Sequence, residues 1–302
     1  MRTDRHERVG VLLAAVGALS YGVTVVVGED LADAGLGPGT ALGVRFSIGG
    51  LILAAVLRIR RVALVPSRRE VVVGLVLGVA YAIEATLFFS ALERGTAAAV
   101  ALIVYVYPAI VTVVELARGN ERARRSTFVA LAMSMAGTAI VVVGGGRVAI
   151  TPVGVVFALG SATAFSVYLL TGRELTKRSD PMVIACWVAL GAGVSNLARG
   201  AVTQQLVNPS SRTLEIVVYG LATAIAFTLT FAAMQRIGAS RVAVVMTLEA
   251  ASSVVMAAIF LGESVKPLQA LGGVAVLAAA AVIARGQPDM AGAIEAAPAA
   301  GT

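Results

Sequence analysis

Ten separate runs of about 20 apolar residues, each long enough to cross a bilayer as a helix, constrain this chain more than any other feature. They fall at about 9–28, 40–58, 71–92, 96–117, 126–145, 152–172, 181–200, 213–235, 239–261 and 267–284. At about 20 residues per crossing they use roughly two-thirds of the 302 residues. The connections and tails are therefore short, and no soluble catalytic domain fits among them. The apolar excess runs throughout: 58% of residues are hydrophobic, 14% are charged, and the mean hydropathy is +0.90. The expected fold class is an all-α polytopic membrane protein.

The first run follows Arg2, Arg5 and Arg8, as a signal-peptide core would. It is longer than such a core, so a retained helix is expected. The Ala/Pro-rich segment 287–302 reads as a disordered cytoplasmic tail. One cysteine, Cys186, leaves no internal disulfide, and His6 is the single histidine. No metal site and no cofactor are expected from such a set. The sequence also lacks GxxxxGK[ST], which argues against ATP hydrolysis.

The basic residues divide unevenly between the two sides of the membrane. With the N-terminus inside, one side carries 18 Lys and Arg and the other carries 5. The positive-inside rule then places both termini in the cytoplasm of a multi-pass cell-membrane protein. The net charge of +7 reflects this topology and contact with anionic lipid, not nucleic-acid binding.

Laid over itself so that Gly78 falls on Gly220, the chain matches its own second half. Residues 71–121 align with 213–263 without a gap and share 16 of 51 positions. In the same register Arg94 falls on Arg236 and Glu121 on Glu263. This predicts two repeats, residues 1–146 and 147–286, each with five spans. An odd number of spans turns the second repeat upside down in the membrane. Inverted repeats of this kind mark many secondary transporters, with the substrate near the midplane. Two halves of similar shape and opposite orientation allow two open states of similar energy.

The stretch ALERGTAAAVALIVYVYPAIVTVVELARGNE, Ala91 to Glu121, resembles the fourth-helix region of an EamA-type repeat in the drug/metabolite transporter superfamily. The second copy, AMQRIGASRVAVVMTLEAASSVVMAAIFLGE, is similar as well, and its TLE…FLGE ending is like that of amino-acid exporters of the family. The resemblance covers about residues 9–285. It implies efflux of a small metabolite, with amino acids as the expected class. Two positions depart from the pattern. Ala250 stands where the family often has proline, so the ninth span lacks that cause of a kink. Gly119-Asn120-Glu121 replaces the usual Leu-Gly-Glu.

Ionisable residues inside a bilayer should face a cavity or a partner. Arg45, Glu84, Glu115 and Glu249 lie within spans. Arg45 suits a substrate carboxylate, pairing with Glu84, or snorkelling toward the outer face. Glu84, with Tyr81 one turn before it, suits a substrate amine or a proton-coupling step. Glu249 lies central in the ninth span and suits proton uptake and release, with structural bonding to a neighbouring helix as its other reading. Glu115, one turn before Arg118, reads as half of a surface pair. Tyr105 and Tyr107 precede Pro108, which is expected to kink the fourth span and free the carbonyl of Val104 beside two phenols. Tyr107 occupies the repeat position of Glu249. Trp187 reads as packing, and Ser195 and Asn196 as interhelical hydrogen-bonding residues. The glycine pairs and clusters read as close helix contacts.

The expected function is alternating-access transport of a small polar molecule, with proton coupling suggested by the intramembrane carboxylates. Uptake, a passive channel, and a receptor or scaffold without transport are the alternatives. An enzyme is not expected, because the spans contain neither clustered histidines nor a Ser/Lys pair. Oligomeric state is not legible.

Overall fold

A computed structural model describes residues 2–121, 124–208, 212–260, 262 and 264–285. The expected 287–302 tail lies outside the described residues. Within them the chain forms twelve helices. They are α1 (Arg2–Asp33), α2 (Pro38–Ile59), α3 (Arg68–Leu92), α4 (Ala97–Val104), α5 (Tyr107–Ala117) and α6 (Arg125–Gly145), then α7 (Pro152–Thr176), α8 (Pro181–Val202), α9 (Thr213–Ile237), α10 (Ala239–Met246), α11 (Leu248–Phe260) and α12 (Pro267–Arg285). Helices α4 with α5 and α10 with α11 are broken spans, so ten spans long and apolar enough to cross a membrane result. The expected spans are all present, and the first runs past its expected end to Asp33. Large apolar side chains such as Leu12, Leu51, Val113, Val156 and Leu271 lie exposed, as they should where lipid replaces water.

The starts of the spans are written locally. Pro38, Pro152, Pro181 and Pro267 open their helices, where a missing N–H costs nothing. Ser67 caps α3 by accepting from the Glu70 backbone N–H at 3.2 Å. Thr151 caps α7 at the Gly154 N–H, and Asp180 caps α8 at the Met182 N–H.

The two repeats are interleaved. The most extensive packing joins α2 to α8, α1 to α9 and α6 to α12, always across repeats. Glycine permits close approaches across the repeats, between α2 and α9 and between α3 and α8. A Cβ on Gly220 would press on Ile48 and Gly49, and one on Gly78 would press on the α8 backbone at Val188, Gly191 and Ala192. The two pairs are repeat equivalents of each other, Gly49 matching Gly191 and Gly78 matching Gly220. Gly137 and Gly272 face each other between α6 and α12 in the same way. Gly146, after the last residue of α6, ends that span as expected.

Both broken helices sit at one repeat position. The fourth span breaks at Tyr105 and Val106, and the ninth at Thr247, the repeat equivalent of Tyr105. In the first, Pro108 has no N–H to offer Val104, and Val106 N–H turns tightly to Ile103 O at 3.1 Å. In the second there is no proline, yet the break is present, contrary to what Ala250 implied. Thr247 Oγ1 donates to Val244 O at 2.7 Å, and the Thr247 and Ala250 N–H groups reach back three positions instead of four.

Candidate functional site

The two breaks face a cavity of about 1010 Å³ among the spans. Its lining includes all six transport residues expected from the sequence: Arg45, Tyr81, Glu84, Tyr105, Tyr107 and Glu249. Residues from the ends of α1, α6 and the loops before α2 and α4, such as Glu29, Leu36, Thr96 and Arg147, line it too. All of these lie at the end of the bundle opposite the termini, so the cavity opens to that end.

Arg45 projects from α2 and is buried, with 8% of its surface exposed. Its Nε donates to Thr223 Oγ1 of α9 at 2.7 Å, and Thr223 Oγ1 in turn donates to Tyr219 O at 2.8 Å. The guanidinium carbon lies 4.8 Å from the Phe46 ring centroid and 4.9 Å from that of Tyr219. Two aromatic faces and one hydroxyl therefore fix its plane. Glu84 of α3 accepts from Ser161 Oγ of α7 at 2.7 Å. Among the described residues no ion pair joins Arg45 to Glu84, so of the readings open to Arg45 this pairing is not made. Each takes a hydroxyl of the second repeat instead. Glu249, the second residue of α11, is half-buried against the cavity.

An aromatic wall lies between these groups. Tyr81 makes edge contacts with Phe46, Phe165, Tyr168 and Phe227, with centroids 4.9–6.1 Å apart. Tyr107 meets Phe165 edge-on at 4.8 Å, and its hydroxyl donates to Ala243 O at 3.3 Å. Thr223, Ser161 and Tyr219 are site residues that the sequence reading missed. Thr223 had one usable signal: it occupies the repeat position of Tyr81.

At the end carrying the termini the bundle is closed. Glu115 of α5 is 1% exposed and forms an ion pair with Arg173 of α7. It also accepts from Asn120 Nδ2 at 3.2 Å. The expected surface pair with Arg118 is thus replaced by a buried pair across the two repeats, because Glu115 points into the bundle. Arg241 of α10 pairs with Glu7 of α1 at 3.1 Å, and Gln235 of α9 donates to Thr176 O at 2.9 Å. Thr112 Oγ1 and Ser240 Oγ share a buried hydrogen bond of 2.9 Å. Outside this layer lies a vestibule of about 330 Å³ that includes Glu121, Arg124 and Arg236. Burial pushes the Glu121 carboxyl above the usual carboxylate range, against the opposing pull of Ser240, Arg241 and Arg124. Along the same helices, Tyr107, Val111 and Val242 to Met246 are buried between vestibule and cavity.

Two further expectations resolve here. Trp187 is a packing residue: its Nε1 donates to Leu64 O at 2.7 Å and its Cβ fills the space over Gly74. Ser195 and Asn196 bond to Gly191 O and Ala192 O of their own helix, not to a neighbour, because each carbonyl lies one turn back and within reach. Among the described residues no group of His, Cys, Asp and Glu could hold a metal ion.

The EamA-like transporter family model matches residues 8–143 and 152–285. Over 128 residues the chain is 31% identical to the "Threonine/homoserine exporter RhtA" of Salmonella typhimurium strains SL1344 and LT2. That match covers 42% of this chain and 43% of each relative, so the chain spans less than half the length of these curated relatives. A solved crystal structure of a protein superposes with a TM-score of 0.79 over 90% of this chain and 95% of its own, at 20% identity; it speaks for the fold alone. Two family matches, one on each five-span half, account for nearly all of the described helices: the chain belongs to the EamA-like transporter family.

Proposed function

We propose that this protein is a secondary transporter that exports small polar metabolites, amino acids foremost, by alternating access. One observation carries the reading: a cavity closed by charged pairs at one end and open at the other, where Glu29 and Arg147 line it, presents the fixed Arg45 guanidinium and the Glu84 and Glu249 carboxylates from within the spans. Arg45 takes a substrate carboxylate at the Nη end of its guanidinium, since Thr223 occupies Nε. Glu84 and Glu249 take the amine, and the wall of Tyr81, Tyr105 and Tyr107 excludes water around the bound molecule. The two sequence repeats, 1–146 and 147–286, supply the two states. The uneven distribution of Lys and Arg supports cytoplasmic termini in the cell membrane, so the present conformation faces outward. A protonatable carboxylate beside the substrate supports coupling to a proton gradient.

Similarity to a protein named an exporter supports export over uptake. A passive channel fits less well, because the terminus end is filled by ion pairs and fully buried side chains. An enzyme has no counterpart in the site, which presents carboxylates and a guanidinium to the cavity without a nucleophile–base pair.

The test uses proteoliposomes loaded with labelled threonine. Saturable efflux, accelerated by unlabelled threonine on the opposite side, is the expected result. Linear, non-saturable flux sinks the alternating-access reading in favour of a channel. Absence of threonine flux alongside flux of a small metabolite that is not an amino acid sinks the amino-acid assignment.

A further inference from the structure

We infer that Ala98 and Val254 meet in a second conformation and close the open end of the cavity, forming an apolar seal where the terminus-end seal is ionic. The inference rests on the alternating-access reading. In a transporter built from inverted repeats, the two states exchange the shapes of the two halves. Each contact that closes one end then predicts a contact between the repeat-equivalent residues at the other end.

The terminus-end layer offers a contact whose two partners both lie in the ungapped aligned segments. Thr112 of α5 and Ser240 of α10 meet through their hydroxyls at 2.9 Å. Thr112 corresponds to Val254 of α11, and Ser240 corresponds to Ala98 of α4. Both equivalents now line the cavity on its open side, and both are half-buried. Each lies on the far side of its helix break from the midplane, as its counterpart does at the other end. The exchange predicts that α4 and α11 close there as α10 and α5 close at the terminus end.

The same correspondence shows what the second seal lacks. Glu115 maps to Ala257 and Arg241 to Ala99. Neither ion pair of the terminus end therefore has a counterpart in the aligned segments, and the hydroxyl pair becomes Ala with Val. The two states do not balance. The outward-open state is held by buried and half-buried pairs, and the opposite state by contact of small apolar side chains. The outward-open state is the resting one, and opening toward the termini requires the Glu115–Arg173 and Glu7–Arg241 pairs to part.

The experiment is cysteine cross-linking in proteoliposomes, in a background where Cys186→Ala removes the native thiol. One variant carries Thr112→Cys with Ser240→Cys; the other carries Ala98→Cys with Val254→Cys. Copper phenanthroline drives disulfide formation, and mass spectrometry reads the linked peptides. The first pair is expected to link at once. The second is expected to link slowly, and roughly tenfold faster after Glu115→Gln leaves Arg173 without its partner. Arg241→Gln, which loosens the less buried pair, should act in the same direction and serves if Glu115→Gln does not fold. An Ala98/Val254 pair that stays unlinked, while the first pair links and threonine efflux persists, overturns the inference. Linking of the second pair in a protein that moves no threonine overturns the substrate reading and leaves the second conformation standing.

Discussion

The fourth and ninth spans share a backbone and differ in chemistry. Both break at the same repeat position, Tyr105 in one and Thr247 in the other. Proline produces the first break, and a threonine hydroxyl with tightened backbone turns produces the second. Just beyond, the first presents a phenol, Tyr107, and the second a carboxylate, Glu249. The fold thus keeps the symmetry that exchange between two states needs. At this position it gives the carboxylate to one copy alone, an asymmetry that the proposed transport of one substrate would use. Symmetry lies in the main chain, and function in the departures from it.

The strongest way to break this comparison is to treat the two positions alike. Glu249→Gln keeps the shape and most hydrogen bonds but cannot ionise. It is expected to fold and to lose gradient-driven accumulation, measured in proteoliposomes with and without an imposed proton gradient. Tyr107→Phe loses one bond, to Ala243 O, and should keep flux within about threefold of the parent. Equal loss in both variants would mean that the two breaks carry the same role.

Arg45 sharpens the contrast from the other side, because its repeat equivalent is the packing residue Trp187. Arg45→Ala should abolish flux. Arg45→Lys keeps the charge but loses the fork and the stacking, so flux should fall at least about tenfold. Full activity of the lysine variant in the same assay would show that charge alone suffices.

Smaller effects should follow at the breaks themselves. Pro108→Ala restores an N–H that can bond to Val104 and straightens the fourth span, so a drop in flux of about fivefold is expected. Thr247→Ala leaves the backbone turn at Val244 in place and should cost less than Pro108→Ala. A reversed order would place the hinge in the ninth span.

The smallest effect concerns Glu121, whose repeat counterpart, Glu263, lies outside the described residues. Burial raises its carboxyl above the ordinary range, so the folded state favours the neutral form. Its contribution to stability is complete below the ordinary carboxylate value and is lost as pH rises through the raised one. Glu121→Gln should therefore be slightly more stable than the parent at neutral pH and equal to it in acid. Thermal midpoints in detergent across that range check the sign; a variant less stable at neutral pH would mean that the Ser240 hydrogen bond and the pull of Arg241 outweigh burial.

Much of the fold could be read before any coordinates, because a bilayer demands unbroken apolar helices and prolines and caps mark where they start. The six cavity residues were legible for the same reason: an ionisable or phenolic group in the middle of a span needs a polar place to go. What holds them was not. Thr223 and Ser161 look like any small polar residue in a membrane helix, and their worth depends on which helix lies opposite. Glu115 was misjudged because spacing to Arg118 gives its neighbours along one helix and says nothing of Arg173, which the other repeat supplies. The break at Thr247 escaped because a hydroxyl has a continuous helix and a turn equally open to it, and tertiary context decides.

The close seat of Gly78 on the α8 backbone from Val188 to Ala192 also sets a timetable for biosynthesis. The third span leaves the ribosome roughly 110 residues before its partner, about ten seconds at ordinary translation speed. During that interval the groove beside Gly78 faces lipid, and the first five spans hold few of their final contacts. A bulky residue at Gly78 would meet no obstacle while the first half inserts and would fail when the second half arrives. Such a variant should integrate into the membrane normally and then be cleared by proteases that recognise unassembled helices.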